Sequence, residues 1–323
     1  MIPLFVLISD IHFSVSTLTL ASKALRAALK KATELNVPLI IAGDTNDTKA
    51  LLRAEVANEL ISILKYTLIP VYILRGNHDQ ISEKETAHSL EFLKPYVKIV
   101  ETLSFIPNTN IHLMPYQSDP QNVEEYVKLI PKGSILIMHQ GVKGAWMGDY
   151  IQDKTSVDPS IFEGITVFSG HYHRAHSIGS VTYIGNPYTL SFGEATDGPK
   201  GFMVVNSDGS YERIHLDFLR KHIVIDQKAS HLYKVNVNPQ DLVSVKIRGF
   251  ESELLKITKE YIKTQVLNGH ENFKLELIFT ENLQVNEIKE NLSPEFILDD
   301  IIDKTPETDE QKNILKQLWR SLL

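Results

Sequence analysis

Five short stretches of the 323-residue chain bring His, Asp and Asn into close spacing: Asp10-x-His12 in "SDIH", Asp44 in "GDTND", Asn77-His78-Asp79 in "GNHD", His139 in "MHQ" and His171-x-His173 in "SGHYH". In D-x-H and H-x-H an extended chain turns both side chains to one side. Carboxylate, amide oxygen and neutral imidazole are ligands for divalent ions. Taken singly, each stretch has an ordinary reading: a strand-end polar pair, a turn in which Gly43 supplies freedom in φ and Asp47 caps a helix, a loop, a satisfied buried histidine. Together, in this order and each after an apolar run, they point to one metal site with Asp10, His12, Asp44, Asn77, His139, His171 and His173 as its inventory, and His78 left over. With no cysteine in the chain, thiolate sites and disulfides are excluded. The donor set then suits manganese, iron, zinc or magnesium.

The elements that must position these residues follow from periodicity. Residues 4–10, 38–47 and 69–79 read as short apolar strands ending in polar tips, with amphipathic helices over 17–37 and 51–66 between them. Residues 134–140 and 165–173 are two more apolar runs with histidine at the far end, and 203–216 reads as a hairpin turning at Asp208-Gly209. Alternating strands and helices predict an α/β fold with buried, largely parallel strands. In such sheets the carboxyl ends of the strands converge on one crevice. Polar residues and Pro239 break the pattern over 226–240, which reads as a linker before a small strand–helix–strand unit. Three segments are thus expected: a catalytic domain over 1–228, a small α/β capping domain over 236–283 and a helical tail over 284–323.

Composition narrows the functional classes. No window approaches the roughly 18 apolar residues of a membrane span, and the first residues, MIPLFVLISDIH, lack a basic leader and a cleavage site, so a cytoplasmic protein is expected. The formal net charge of −7 gives no overall electrostatic attraction to nucleic acid. Bound divalent cations would reverse that sign locally.

The ordered set D-x-H, G-D-x-x-D, G-N-H-D, a lone His and G-H-x-H resembles the calcineurin-like metallophosphoesterases over residues 10–173. The stretch "YIGNPYTLSFGEATDGPKGFMVV" (183–205) looks like the continuation found in the SbcD-type nucleases, which work with an SbcC-type ATPase at DNA ends. The resemblance implies two facing β-sheets flanked by helices and two divalent ions, most often Mn²⁺. One ion would be held by Asp10, His12, Asp44 and His173 and the other by Asp44, Asn77, His139 and His171, with Asp44 as the bridge. It further implies that His78 acts on the leaving oxygen, that Asp79 holds the His78 ring, and that the activity is DNA exonuclease or endonuclease in repair, recombination or replication. A phosphatase or a small-molecule phosphodiesterase would keep the same core. Arg174, directly after the last ligand pair, is a candidate phosphate contact. A homodimer is expected through helices over 51–66 or 84–94. At the C-terminus, Ser293-Pro294-Glu295 opens one expected helix and Thr308 with Gln311 a second, whose apolar stripe of Ile314, Leu315, Leu318 and Trp319 would dock on the ATPase or fold back on its own domain.

Overall fold

The computed structural model describes residues 2–49, 51–82, 87–148, 151–280, 302 and 308–320. Its first strand, β1 (Pro3–Ile8), runs parallel to β2 (Leu39–Ile41), β2 to β3 (Val71–Leu74) and β3 to β4 (Lys98–Val100). The helices that return the chain between these strands are α1 (Leu18–Leu35) and α2 (Ala54–Leu64). A second sheet takes β5 (Ser104–Phe105), β6 (Ile111–Met114), β7 (Ile135–His139), β8 (Thr166–Gly170), β9 (His176–Ile178) and β10 (Val181–Tyr183), with α3 (Pro120–Lys128) before β7. The expected hairpin, β11 (Gly201–Asn206) and β12 (Tyr211–His215), returns to close the first sheet in the order β12-β11-β1-β2-β3-β4. Gly209 stands in its turn with φ of 80°.

Alternation along the strands explains why the two sheets face each other. Phe5 and Leu7 of β1 and Ile40 of β2 point into a core shared with Ile135 and Ile137 of β7 and Phe168 of β8. Their neighbours Val6, Ile8, Leu39 and Ile41 turn the other way, against Ala21, Ala24, Leu25 and Ala28 of α1. On the second sheet Leu136, Met138 and Val167 face outward onto Val123 and Val127 of α3. The result is a helix–sheet–sheet–helix sandwich. No helix among the described residues is long and apolar enough to cross a membrane.

A third sheet is all parallel: β13 (His222–Lys228), β14 (Leu242–Gly249) and β15 (Phe273–Phe279), with α4 (Glu251–Leu254) and α5 (Lys259–Gln265) in the connection between the last two. This sheet begins at His222, upstream of both the expected 228 boundary and the start of the expected linker. The reason lies in the burial of β13, where His222, Ile225 and Gln227 are buried and the residues between them are wholly or partly open. An edge strand exposed on one side carries enough polar residues to read as linker. The expected helix over 84–94 is, among its described residues, only a 3₁₀ turn at Glu91–Leu93.

The last described element is α6 (Asp309–Arg320). Its capping box forms as expected: the Thr308 N–H donates to Gln311 Oε1 at 3.0 Å and the Gln311 N–H to Thr308 Oγ1 at 3.4 Å. Ile314 and Leu315 are exposed. The helix expected from Ser293, and the side chains of Leu318 and Trp319, lie outside the described residues.

Candidate metal centre

The ends of five strands supply the site. Asp10 and His12 follow β1, Asp44 follows β2, Asn77 and His78 follow β3, His139 closes β7, and His171 and His173 follow β8. Beyond the strands the loops stay tied to each other: the Asp10 N–H donates to Gly43 O at 3.1 Å and the His12 N–H to Asp44 O at 3.0 Å. Four of the candidates hold left-handed backbone, Asp10 at φ 52°, His12 at 51°, Asp44 at 49° and His171 at 90°. The other described non-glycine residues at positive φ, Asn36, Asn108 and Asn268, are asparagines, the type that tolerates this region. Histidine does so at a cost of order 1–3 kcal/mol, which persists only where the surroundings impose it. Two glycines let the loops approach. A Cβ on Gly43, itself at φ 91°, would run into the His139 ring, and one on Gly76 would meet the backbone nitrogen and carboxylate of Asp44.

These loops bring the side chains into two groups. Asp10, His12 and His173 form one, with His12 Nε2 and His173 Nε2 3.0 Å apart. Asp44, His139 and His171 form the other. There Asn77 Oδ1 lies 3.0 Å from His139 Nε2 and 2.9 Å from His171 Nδ1, and Asp44 Oδ2 lies 3.3 Å from His139 Nε2. Asp44 Oδ2 also stands 3.9 Å from His12 Nε2, so its carboxylate spans both groups. Separations near 3 Å match neighbouring ligands around an ion bound at about 2.1 Å, for which an octahedral edge is about 3.0 Å. His78 joins His12 and Asp44 in a third grouping of ligand-type atoms, its ring edge-on to His12 with centroids 4.9 Å apart.

Outer contacts fix which nitrogen faces inward. His139 Nδ1 sits 2.7 Å from Ala42 O, a carbonyl that can only accept, so Nδ1 carries a proton and Nε2 turns to the site. His173 Nδ1 sits 2.7 Å from Glu194 Oε1 and is fixed in the same way. Asp10 is held by the His171 N–H, which donates to Oδ1 at 3.0 Å and Oδ2 at 3.2 Å. Charge is out of balance in this cluster. Burial opposes charge on both Asp44 and His139, but each outweighs it for the other, which lowers Asp44 and pushes His139 up to about 9. His171, buried and beside His139, falls to about 4. A proton on His139 thus occupies a place where the donor set suits a cation, and metal entry would release it. The residues present fit a pair of divalent ions.

Several expectations about the site need correction. Asp79 does not hold the His78 ring. Fully buried, it accepts from the backbone N–H groups of Gly76 at 2.9 Å, Asn46 at 2.9 Å and Thr45 at 3.3 Å, and so ties the β2 loop to the β3 loop. Burial, followed by the Asp44 charge, pushes it up to about 6. The His78 ring is held instead by Asp47 O, 2.6 Å from Nδ1, while the His78 N–H donates to Asp44 Oδ1 at 2.8 Å. Asp47 caps no helix, since α2 begins only at Ala54; its Oδ1 approaches His12 Nδ1 at 3.3 Å. Glu194, which orients His173, was missed as a site residue, though it lies in the quoted "SFGE". Arg174 directly follows His173 in the chain and is half-buried, and its carbonyl accepts from His176 Nδ1.

Residues 3–186 match the family model of the calcineurin-like phosphoesterases. The chain belongs to this family. It is therefore a phosphoesterase of a family that uses divalent metals, and the matched range takes in every candidate ligand. Among curated proteins it is 24% identical over 253 residues to exonuclease subunit 1 of Enterobacteria phage T4, covering 71% of this chain and 72% of that one. Among solved structures it is similar to an archaeal phosphodiesterase (15% identity, 66% and 99% of the two chains, TM-score 0.36). It is also similar to GAP50, described as the anchor in the inner membrane complex of Plasmodium (10% identity, 67% and 89%, TM-score 0.38).

Proposed function

We propose that this phosphoesterase is a two-metal DNA nuclease, cleaving phosphodiester bonds at DNA ends together with an SbcC-like ATPase in repair, recombination or replication. The observation that carries the hydrolytic reading is the convergence of the two ligand groups on Asp44. The likeness to a phage exonuclease subunit supports DNA as substrate.

In this reading Asp10, His12, Asp44 and His173 hold one ion and Asp44, Asn77, His139 and His171 the other, most often Mn²⁺. When bound, the pair supplies Lewis acidity toward a phosphate and lowers the pKa of a water. The chain's own residues do the rest. The Ala42 carbonyl and the Glu194 carboxylate keep His139 and His173 turned inward. His78, half-buried beside His12 with Nδ1 on the Asp47 carbonyl, presents Nε2 and is placed to donate a proton to the leaving oxygen. Arg174, directly after His173 in the chain, is the proposed phosphate contact.

Linear duplex and single-stranded DNA, incubated separately with the purified chain and Mn²⁺, Mg²⁺ or a chelator, test the reading. Metal-dependent shortening of DNA is expected. Hydrolysis of aryl phosphate diesters with no action on DNA would instead make it a small-molecule phosphodiesterase. Truncation before residue 284 is expected to abolish co-purification with an SbcC-like subunit through loss of Ile314, Leu315, Leu318 and Trp319, while leaving cleavage of single-stranded DNA. Homodimerisation through residues 51–66 would appear as a doubled mass in light scattering.

A further inference from the structure

Three of the four candidate imidazoles face an oxygen with their outer nitrogen: Ala42 O for His139 and Glu194 Oε1 for His173, each at 2.7 Å, and Asp47 Oδ1 for His12 at 3.3 Å. His171 differs. Its Nδ1 turns inward, 2.9 Å from Asn77 Oδ1, and among the described residues no hydrogen bond reaches its Nε2. The outer partner is what ordinarily fixes the plane of a ligand imidazole, so something else must fix this one. Its surroundings are aromatic. The Tyr172 ring lies with its centroid 4.8 Å away at 40°, the His139 ring at 5.3 Å and 72°, and the Tyr116 ring at 5.9 Å and 35°. All three separations fall in the range over which rings attract each other.

Tyr172 is a buried residue of the fold, tied by its hydroxyl to Asp153 Oδ2 at 2.6 Å. Tyr116 is half-buried and comes from elsewhere. It stands two residues after β6, a strand whose end sends no candidate ligand to the centre. Its backbone is bonded in both directions to Arg75: the Tyr116 N–H donates to Arg75 O at 2.8 Å, and Arg75 Nη2 donates to Tyr116 O at 3.1 Å. Asn77 lies two residues beyond Arg75. The next residue, Gln117, is bonded in the same reciprocal way to Gln140, which follows His139: the Gln117 N–H donates to Gln140 Oε1 at 3.1 Å, and Gln140 Nε2 donates to Gln117 O at 2.9 Å. Tyr116 is therefore braced between the loops that carry Asn77 and His139. Its ring meets both imidazoles of that ligand group, His139 edge-on at 6.3 Å and His171, and among the described residues no ring contact joins it to His12 or His173.

We propose that Tyr116 is a positioning residue of the metal centre: with Tyr172 it sets the ring of His171, in place of the oxygen that the other three imidazoles face, and so governs the affinity of the ion on Asn77, His139 and His171. The proposal rests on the two-ion reading of the centre and not on DNA as the substrate.

Titration of the full chain with Mn²⁺, the unbound ion being counted by electron paramagnetic resonance, tests this. Wild type is expected to bind two ions. Tyr116→Leu should weaken one of them about tenfold, the lower end of what outer partners of histidine ligands contribute, and leave the other unchanged. Tyr116→Phe keeps the ring and should keep wild-type affinity for both. Added to His171→Gln, the leucine change should have no further effect, because it acts through His171. Tyr116→Met serves, with the same expectation, if the leucine variant does not fold. Unchanged affinity in the folded variant, equal weakening of both ions, or a loss in Tyr116→Phe as large as in Tyr116→Leu overturns the proposal. So does a further loss on top of His171→Gln. A raised KM for an aryl phosphate diester with metal affinity intact would make Tyr116 a substrate contact and overturns it as well. A wild-type chain that binds one ion or none contradicts the two-ion reading and the proposal with it, whereas two ions in wild type with no effect of Tyr116→Leu contradict the proposal alone.

Discussion

The sandwich and the small third sheet are built from the same unit, a buried parallel strand followed by a helix or loop, yet they end differently. In the sandwich, β1, β2, β3, β7 and β8 finish in loops that carry the candidate ligands, four of them in left-handed backbone. In the third sheet, β13, β14 and β15 end at Lys228, Gly249 and Phe279, and the described non-glycine residue at positive φ is Asn268, in a loop. Both units bury a continuous apolar core. What separates them is the cost accepted at the strand ends. Left-handed histidines, a buried carboxylate pair and facing imidazole nitrogens would all be relieved by simpler sequences, and they persist where a cation would make use of them.

This difference can be broken by removing its parts one at a time. The largest effect is expected from Asp44→Asn, which keeps the shape but removes the charge shared by both ligand groups. Bound metal should fall from about two ions per chain to below one, and hydrolysis should be lost, as elemental analysis and an assay on an aryl phosphate diester or DNA would show. Retention of both ions would contradict the bridging role. Next in size is His78→Ala. Metal content should stay near normal while turnover falls by about 10²–10⁴, the range for a lost general acid. An empty His78→Ala protein would make that histidine a ligand.

Smaller again is Glu194→Gln, which weakens the partner of His173 Nδ1 without touching a ligand. Metal affinity should drop by about 10–100-fold, as is usual when the outer partner of a histidine ligand is changed, and metal titration would measure it. The smallest effect concerns the loop beside H-x-H. Asp153 accepts from Tyr172 Oη at 2.6 Å and from the Thr155 and Ser156 N–H groups at 2.9 and 3.0 Å. Burial opposes its ionisation, but the Ser156 and Tyr172 bonds outweigh it and draw the carboxyl down to about 2 from an ordinary 3.8. A depressed folded value stabilises the fold above the ordinary value, and that contribution is lost as pH falls through the folded one. The melting-temperature gap between wild type and Asp153→Asn should therefore be full at pH 5 and close between about pH 4 and 2. A gap independent of pH would show that the ionised carboxylate does not matter.

How much of this was legible depended on how local the cause was. Strands buried on both faces write near-continuous apolar runs, so β1, β2, β3, β7 and β8 could be read together with the polar tips that follow them. The hairpin at Asp208-Gly209 and the Thr308–Gln311 cap were legible because each is settled within a few residues. Short strands such as β5 and β9 were not, since two or three residues carry no period. Contacts at long range left no local mark. Glu194 meets His173 across 21 residues of chain, and the Asp47 carbonyl meets His78 across 31. Asp79 was misassigned because adjacency to His78 suggested a partner, whereas the turn points its carboxylate at three backbone N–H groups. The left-handed φ of His12 and His171 had only a weak signal in residue type, since histidine visits this region more often than most residues but seldom in absolute terms.

The most direct test of the central claim is a crystal of the Mn²⁺-soaked protein measured at the manganese absorption edge. Two anomalous peaks are expected, one touching Asp10, His12 and His173, the other touching Asn77, His139 and His171, with Asp44 between them. A single peak, or peaks away from Asp44, would contradict the two-metal centre.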